Sequence, residues 1–161
     1  MLTTVKIRPM IDEDKAEVMK ILLATPEFTI SEAEVAEELI DSYLEYGDGS
    51  GYYILVAEVA QTPAGYICYG PTPLTKGTWD IYWVAVVPGR QRQGIGRTLL
   101  AAAEDKIRET YGQLILIEAS SRAEYEGTRL FYGSQGYEII SRIPDFYAPG
   151  DDRLVFRKSL C

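Results

Sequence analysis

The chain has 161 residues, enough for one domain with one sizeable core. Its 16 basic and 24 acidic residues give a formal net charge of −8, which argues against broad nucleic-acid binding. Histidine is absent, which excludes histidine triads, histidine bases and most catalytic zinc sites. Acid–base chemistry therefore falls to carboxylates, tyrosine, lysine, cysteine or water.

Thr4 to Pro9 alternates Val5 and Ile7 with Lys6 and Arg8, as a strand does. Asp12 can cap a helix reaching about Ala24, with Ala16, Met19 and Leu23 on one face. Ser31-x-x-Glu34 is a capping-box pattern flanked by Ile30 and Val35 as a hydrophobic staple, and opens a second helix to about Tyr46. Val35, Leu39, Tyr43 and Tyr46 align on it, and Gly47, Gly49 and Gly51 end it. Tyr52–Val59 and Gly65–Tyr69 read as a hairpin joined through Gln61-Thr62-Pro63-Ala64. A Pro/Gly-rich loop covers 71–77.

Trp79 to Val87 is apolar, β-branched and aromatic, and suits a buried central strand. Pro88 and Gly89 stop it, and the third helix runs to Tyr111-Gly112 with Glu104 and Arg108 spaced to pair. Leu114–Ser120 is a further strand, making a parallel strand–helix–strand unit. A short helix follows over about Glu126–Gln135. Tyr137–Ile143 and Leu154–Lys158 are the last strands, joined by a loop over 144–152. Cys68 lies in an apolar run and Cys161 ends the chain, so neither a disulfide framework nor a cysteine-rich metal site is expected. No apolar run is long enough to span a membrane, and Lys6, Arg8, Asp12, Glu13, Asp14 and Lys15 interrupt any leader-like core. The expectation is one cytoplasmic α/β domain over 1–161, without metal, nucleic-acid or membrane partner.

The stretch from Trp83 to Leu100 organises the chain. A strand, the polar turn Gln91-Arg92-Gln93-Gly94-Ile95-Gly96 and a helix N-terminus together form an anion site. The first amides of a helix lack partners, the peptide dipoles leave positive charge there, and glycines let a bulky anion approach. Arg90, Arg92 and Arg97 add fixed charge. A Walker A loop is missing, and Leu99 stands where a dinucleotide fingerprint needs a small residue.

Gln91-x-x-Gly94-x-Gly96, after a Val-Ala-Val strand and a proline, resembles the acyl-CoA signature of the GCN5-related N-acetyltransferase (GNAT) superfamily. The order of strands and helices also resembles that fold, across essentially the whole chain. The resemblance implies an α/β (α+β) fold with a mixed sheet of about seven strands and helices on both faces. It further implies that the central strand and the strand after the motif helix splay apart, with pantetheine in the gap paired to the main chain of Val84, Ala85 and Val86. The phosphates of acetyl-CoA would rest on Gln91, Arg92, Gln93, Gly94, Ile95, Gly96 and Arg97. Thr128-Arg129-Leu130-Phe131-Tyr132, before Gly136-Tyr137, resembles the family's second element. That implies Thr128 as a cofactor contact and Tyr132 as the acid that protonates the leaving thiolate. Where the family often has Asn, this chain has Tyr125.

The base is left between two carboxylates. Asp80 is expected on the face of Val86 by even spacing, and Glu118 is on the neighbouring strand. The implied activity is transfer of an acetyl group from acetyl-CoA to a primary amine, without a metal. A small amine or polyamine fits the acidic balance and the acidic face of the second helix (Glu34, Glu38, Asp41, Glu45). Tyr43, Tyr46 and Tyr147 are candidates to line its pocket. A protein lysine or N-terminal amine is the alternative acceptor, a CoA-sensing module without turnover is the non-enzymatic reading, and a homodimer is left open.

Overall fold

The structure is a computed structural model and describes residues 4–161. One seven-stranded mixed sheet has the order β1-β2-β3-β4-β5-β7-β6. Its strands are β1 (Val5–Pro9), β2 (Tyr53–Val59), β3 (Thr62–Pro71), β4 (Thr78–Val86), β5 (Leu114–Ser120), β6 (Glu138–Ala148) and β7 (Asp151–Ser159). Only β4 and β5 run parallel. The helices are α1 (Lys15–Ala24), α2 (Ile30–Tyr46), α3 (Ile95–Glu109) and α4 (Glu126–Ser134).

The helices divide the core between the two faces of the sheet. Leu99, Leu100, Ala103 and Ile107 of α3 and Tyr132 of α4 pack on Ile67, Ile81, Ile115, Ile117 and Phe156. Val18, Ile21 and Leu22 of α1 and Ala36 and Ile40 of α2 pack on Ile54, Val56, Tyr66 and Ala85 of the other face. Leu23, expected in the core, is 68% exposed, because the buried stripe of α1 is Val18-Ile21-Leu22. Val35 and Tyr46 are likewise exposed, and Ala33, Ala36 and Ile40 form the buried stripe of α2.

Several local expectations are corrected. The capping box of α2 is Thr29/Glu32: the Glu32 N–H donates to Thr29 Oγ1 at 3.1 Å and the Thr29 N–H to Glu32 Oε1 at 3.3 Å. Ile30 is exposed, so no staple forms there. Asp12 does not cap α1; a one-turn helix over Asp12–Asp14 precedes it, and Asp14 accepts from the Ile11 N–H at 2.9 Å. The hairpin turns at Ala60 and Gln61, both left-handed (φ 51° and 69°), so β3 already begins at Thr62. Glu104 does not pair with Arg108, which bonds Asp105 instead. Glu104 is buried, accepts from the Tyr137 hydroxyl at 2.7 Å and pairs with Lys158 at 3.0 Å, tying α3 to β7.

The expected loop over 144–152 is mostly strand. β6 continues to Ala148 and pairs with Asp151 across Pro149-Gly150, where Gly150 supplies the positive φ of 82°. Asp152 pins this hairpin, accepting from the Asp145 N–H at 2.9 Å and from Arg142 Nε at 2.6 Å. No described helix is long and apolar enough to cross a membrane.

Candidate active site

The site is made by two strands that stop pairing. β4 and β5 are in register only from Thr78↔Leu114 to Ile81↔Ile117. Beyond Ile117, β5 stays paired with β7 as far as Ser120, while β4 stays paired with β3 as far as Val86. The sheet therefore splits between Tyr82–Val86 on one side and Glu118–Ser120 on the other. The Val87 N–H donates to the Ala64 carbonyl at 2.8 Å, towards β3. By strand alternation the main-chain groups of Val84 and Val86 point the opposite way, into the gap.

A bulge in β4 decides which side chains face where. The pairing skips from Tyr69↔Ile81 to Cys68↔Trp83, leaving Tyr82 as the extra residue. Before the bulge, Trp79 and Ile81 pack on the α3–α4 side; after it, Val84 and Val86 do. Tyr82 and Trp83 both pack on the α1–α2 side. Asp80, between Trp79 and Ile81, is on that side too. The even-spacing expectation that put Asp80 on the face of Val86 is thus overturned, because one inserted residue shifts the alternation.

A cleft of about 780 Å³ occupies the split. From β4 and β5 it is lined by Asp80, Tyr82, Trp83, Val84, Ala85, Val86, Glu118 and Ser120. Gln91, Thr128 and Tyr132 line it from the α3–α4 side. Glu27, Phe28 and Thr29 come from the α1–α2 loop, Glu32 from the first turn of α2, Arg122 and Tyr125 from the segment before α4, and Tyr147 and Asp151 from the β6–β7 hairpin. So Val84, Ala85, Val86, Gln91, Thr128, Tyr132 and both candidate bases meet in one cavity.

The remaining motif residues, Arg92, Gln93, Gly94, Ile95, Gly96 and Arg97, form the turn and first helical turn that follow Gln91. They do not line the cavity itself. Arg92 and Gly94 have φ of 67° and 82° on either side of Gln93, the alternation found in anion-binding main-chain nests. No side chain caps α3, and its first turn carries no acid. Among the described residues Arg90, Arg92 and Arg97 make no ion pair. Ile95 is buried in the core, so only its amide is available. A Cβ on Gly96 would stand 3.4 Å from Phe131 and 3.6 Å from Val86, which explains a small residue where α3 crosses β4 and α4. Uncapped amides, free arginines and a strand with unpaired main-chain groups fit a long ligand carrying a diphosphate at one end and amides along its arm.

Tyr132 is 5% exposed and ringed by Phe131, Tyr137 and Phe156. Its hydroxyl has no hydrogen-bond partner among the described residues. Burial pushes its phenol well above the usual tyrosine range, so it stays protonated. Asp80 accepts from the Thr72 hydroxyl at 2.7 Å. Glu118 is bound by Arg153.

Sequence reading did not anticipate the far wall. The single hydroxyl proton of Tyr125 is shared between the Glu27 carbonyl at 2.6 Å and the Glu32 carboxylate at 2.9 Å. Arg122 stacks on the Tyr125 ring at 5.0 Å and approaches Asp151 at 3.5 Å, while Ser120 bonds Asp151. The departure from Asn at position 125 was a signal that could have pointed here. Of the three tyrosines considered for a pocket, Tyr147 lines the cleft. Tyr43 packs against the α1–α2 core and Tyr46 is exposed. Glu34, Glu38, Asp41 and Glu45 of α2 do not line the cleft, and Asp41 pairs with Lys15 at 2.6 Å.

The acetyltransferase (GNAT) family model matches residues 16–137. Among solved structures, a protein from Desulfovibrio desulfuricans assigned to the GNAT acetyltransferases is 40% identical, with a TM-score of 0.95 over 98% of this chain and 100% of that one. Two more distant structures share the fold. An aminoglycoside 6′-N-acetyltransferase complexed with coenzyme A is 18% identical, with a TM-score of 0.76 over 97% of both chains. The ribosomal-protein-S18-alanine N-acetyltransferase of Escherichia coli is 19% identical, with a TM-score of 0.76 over 98% of this chain and 94% of that one. Among curated proteins there is no sequence match. With the family model spanning three quarters of the sequence and the splayed sheet in place, this chain belongs to the GNAT family of N-acetyltransferases.

Proposed function

We propose that the chain moves an acetyl group from acetyl-CoA to a primary amine of a small molecule, with both substrates held in the cleft. One observation carries this reading. A single split in the sheet joins free main-chain groups and an uncapped helix start to a mouth lined by carboxylates and aromatic rings, and a buried, unpartnered phenol lines the same cavity.

In this reading the amides of Gln91 to Arg97, with the side chains of Arg92 and Arg97, hold the diphosphate, and Thr128 adds a contact. The main chain of Val84 and Val86 pairs with the pantetheine amides, while that of Ala85, expected to share in this, faces Tyr66 of β3. When bound, acetyl-CoA supplies an acyl group on a thioester. An amide of Val84 or Val86 donates to the thioester oxygen, where negative charge develops. Asp80, through a water, takes the proton that the ammonium must lose before its nitrogen can attack. Glu118 already shares its charge with Arg153, which favours Asp80. Tyr132 donates a proton to the departing sulphur and recovers one from solvent. The C–N bond forms as the C–S bond breaks, and the nitrogen releases its second proton to solvent, so that one proton net is set free per transfer. The bridge from Tyr125 to the α1–α2 loop narrows the mouth and favours a compact acceptor over a folded protein. The coenzyme A complex of a structural neighbour is consistent with this donor.

The experiment is amine-dependent release of the CoA thiol, with the acetylated product identified by mass. The expected result is one acetylated amine per thiol released. Stoichiometric acetyl-CoA binding with no transfer to any small amine or peptide would replace this reading with a CoA-sensing module.

A further inference from the structure

Resting on that reading, we propose that the acceptor is a monoamine carrying a flat apolar or aromatic body, bound on the α1–α2 side of the cleft. The bulge in β4 shapes that side of the cleft. By placing Tyr82 and Trp83 on the same side, it builds an aromatic wall that a regular strand would have divided between the two faces of the sheet. Phe28 of the α1–α2 loop meets Trp83 at 6.4 Å between ring centroids, and Tyr82 meets Trp83 at the same distance. Tyr147 lines the cleft from the hairpin. All four rings keep exposed area, so a flat apolar body gains by covering them. Their π-faces also attract an ammonium.

The charges within the cleft favour a single ammonium. Its carboxylates are Glu27, Glu32, Asp80, Glu118 and Asp151. Arg153 engages Glu118, and Arg122 approaches Asp151 at 3.5 Å and Glu32 at 3.9 Å. Tyr125 also occupies Glu32. Asp80 and Glu27 have no cationic partner among the described residues. A polyamine needs a row of free carboxylates at the spacing of its charges, and most of this set is already committed. The chain's acidic excess is no argument for a polycation either, because the acidic face of α2 lies outside the cleft. One ammonium at Asp80, with its apolar body on Phe28, Tyr82, Trp83 and Tyr147, uses what the cleft offers.

The test is thiol-release kinetics at saturating acetyl-CoA with 2-phenylethylamine, n-butylamine, 1,4-diaminobutane, spermidine and an alanine-initiated tetrapeptide. The expected kcat/KM for 2-phenylethylamine exceeds that of every other acceptor by about tenfold or more. Phe28→Ala and Trp83→Leu each narrow its margin over n-butylamine by about threefold or more. Preference for spermidine, diaminobutane or the peptide would overturn this inference and leave the acyl transfer intact. So would an aromatic margin that survives both substitutions. If no amine releases thiol although calorimetry records bound acetyl-CoA, the transfer reading falls as well.

Discussion

The hydroxyl of Tyr125 donates to the carboxylate of Glu32 at 2.9 Å, joining the segment before α4 to the first turn of α2 across the mouth of the cleft. The same proton is shared with the Glu27 carbonyl at 2.6 Å. Held to the α1–α2 loop at Glu27 and to α2 at Glu32, Tyr125 fixes the wall that carries Phe28. Tyr125→Phe keeps the ring and its stack on Arg122 but removes both bonds. The expected outcome is a KM for the amine raised by about threefold to tenfold, with the KM for acetyl-CoA changed much less. Initial-rate kinetics with each substrate varied in turn check it. An equal rise in both would mean that the bridge supports the whole cleft.

Tyr132 offers a cleaner chemical test, since its hydroxyl bonds to nothing in the described chain and its ring is held by three aromatic neighbours. Tyr132→Phe preserves that packing. The account expects kcat to fall by about 100-fold while acetyl-CoA affinity stays within a few-fold. Unchanged turnover would reduce Tyr132 to a packing residue.

Glu104 is the buried acid that ties α3 to β7 through Tyr137 and Lys158. Glu104→Ala leaves the Lys158 ammonium partly buried and the Tyr137 hydroxyl without its acceptor. A loss of about 2–4 kcal/mol is expected, read from the shift of the denaturant midpoint at constant m-value.

The Asp14–Arg8 pair makes a pH prediction. Burial by itself raises the Asp14 carboxyl. The bonds from Arg8 at 2.7 and 2.8 Å, the Ile11 N–H and the guanidinium charge outweigh it and hold the carboxyl below its ordinary value of 3.8. A pKa lowered by folding contributes stability above the unfolded value and loses it as pH falls through the folded one. Asp14→Asn is therefore expected to cost about 2 kcal/mol at neutral pH. The gap to the parent should close in acid, below pH 3.8. Thermal unfolding of both proteins from pH 7 down to 2.5 measures this; a gap independent of pH would contradict it.

How far these features were legible in the sequence depended on how local they are. The strand through Val84–Val86, the turn at Gln91–Gly96 and the start of α3 carry their signals within a few neighbouring residues, and they form as expected. The bulge at Tyr82 has no such signal, since it comes from how β4 meets β3, and one residue is enough to move Asp80 to the opposite side of the sheet. Tyr125 and Glu32 are 93 positions apart, so only the folded chain brings them together. Ala60 and Gln61 make a two-residue turn without the Asn-Gly or Asp-Gly pair that usually announces one, and Pro63 drew the expected turn past its true place. Pro144, Asp145, Pro149 and Gly150 have loop composition, which shortens the β6 expected from sequence. The pairing with β7 and the hold of Asp152 on Arg142 and the Asp145 N–H override that composition.

In the proposed reading, main-chain N–H groups past Pro88 hold a diphosphate and so deliver a thioester into the split beside Val84 and Val86. Calorimetric titration of the intact protein with acetyl-CoA, alongside Gly94→Val, tests it most directly. Gly94 has φ of 82°, a conformation that valine resists, and an added side chain would crowd the anion. The expected result is one molecule bound per chain, with affinity lost by about tenfold to 100-fold in a variant that remains folded by circular dichroism. No binding to the parent protein, or equal binding to both, would contradict it.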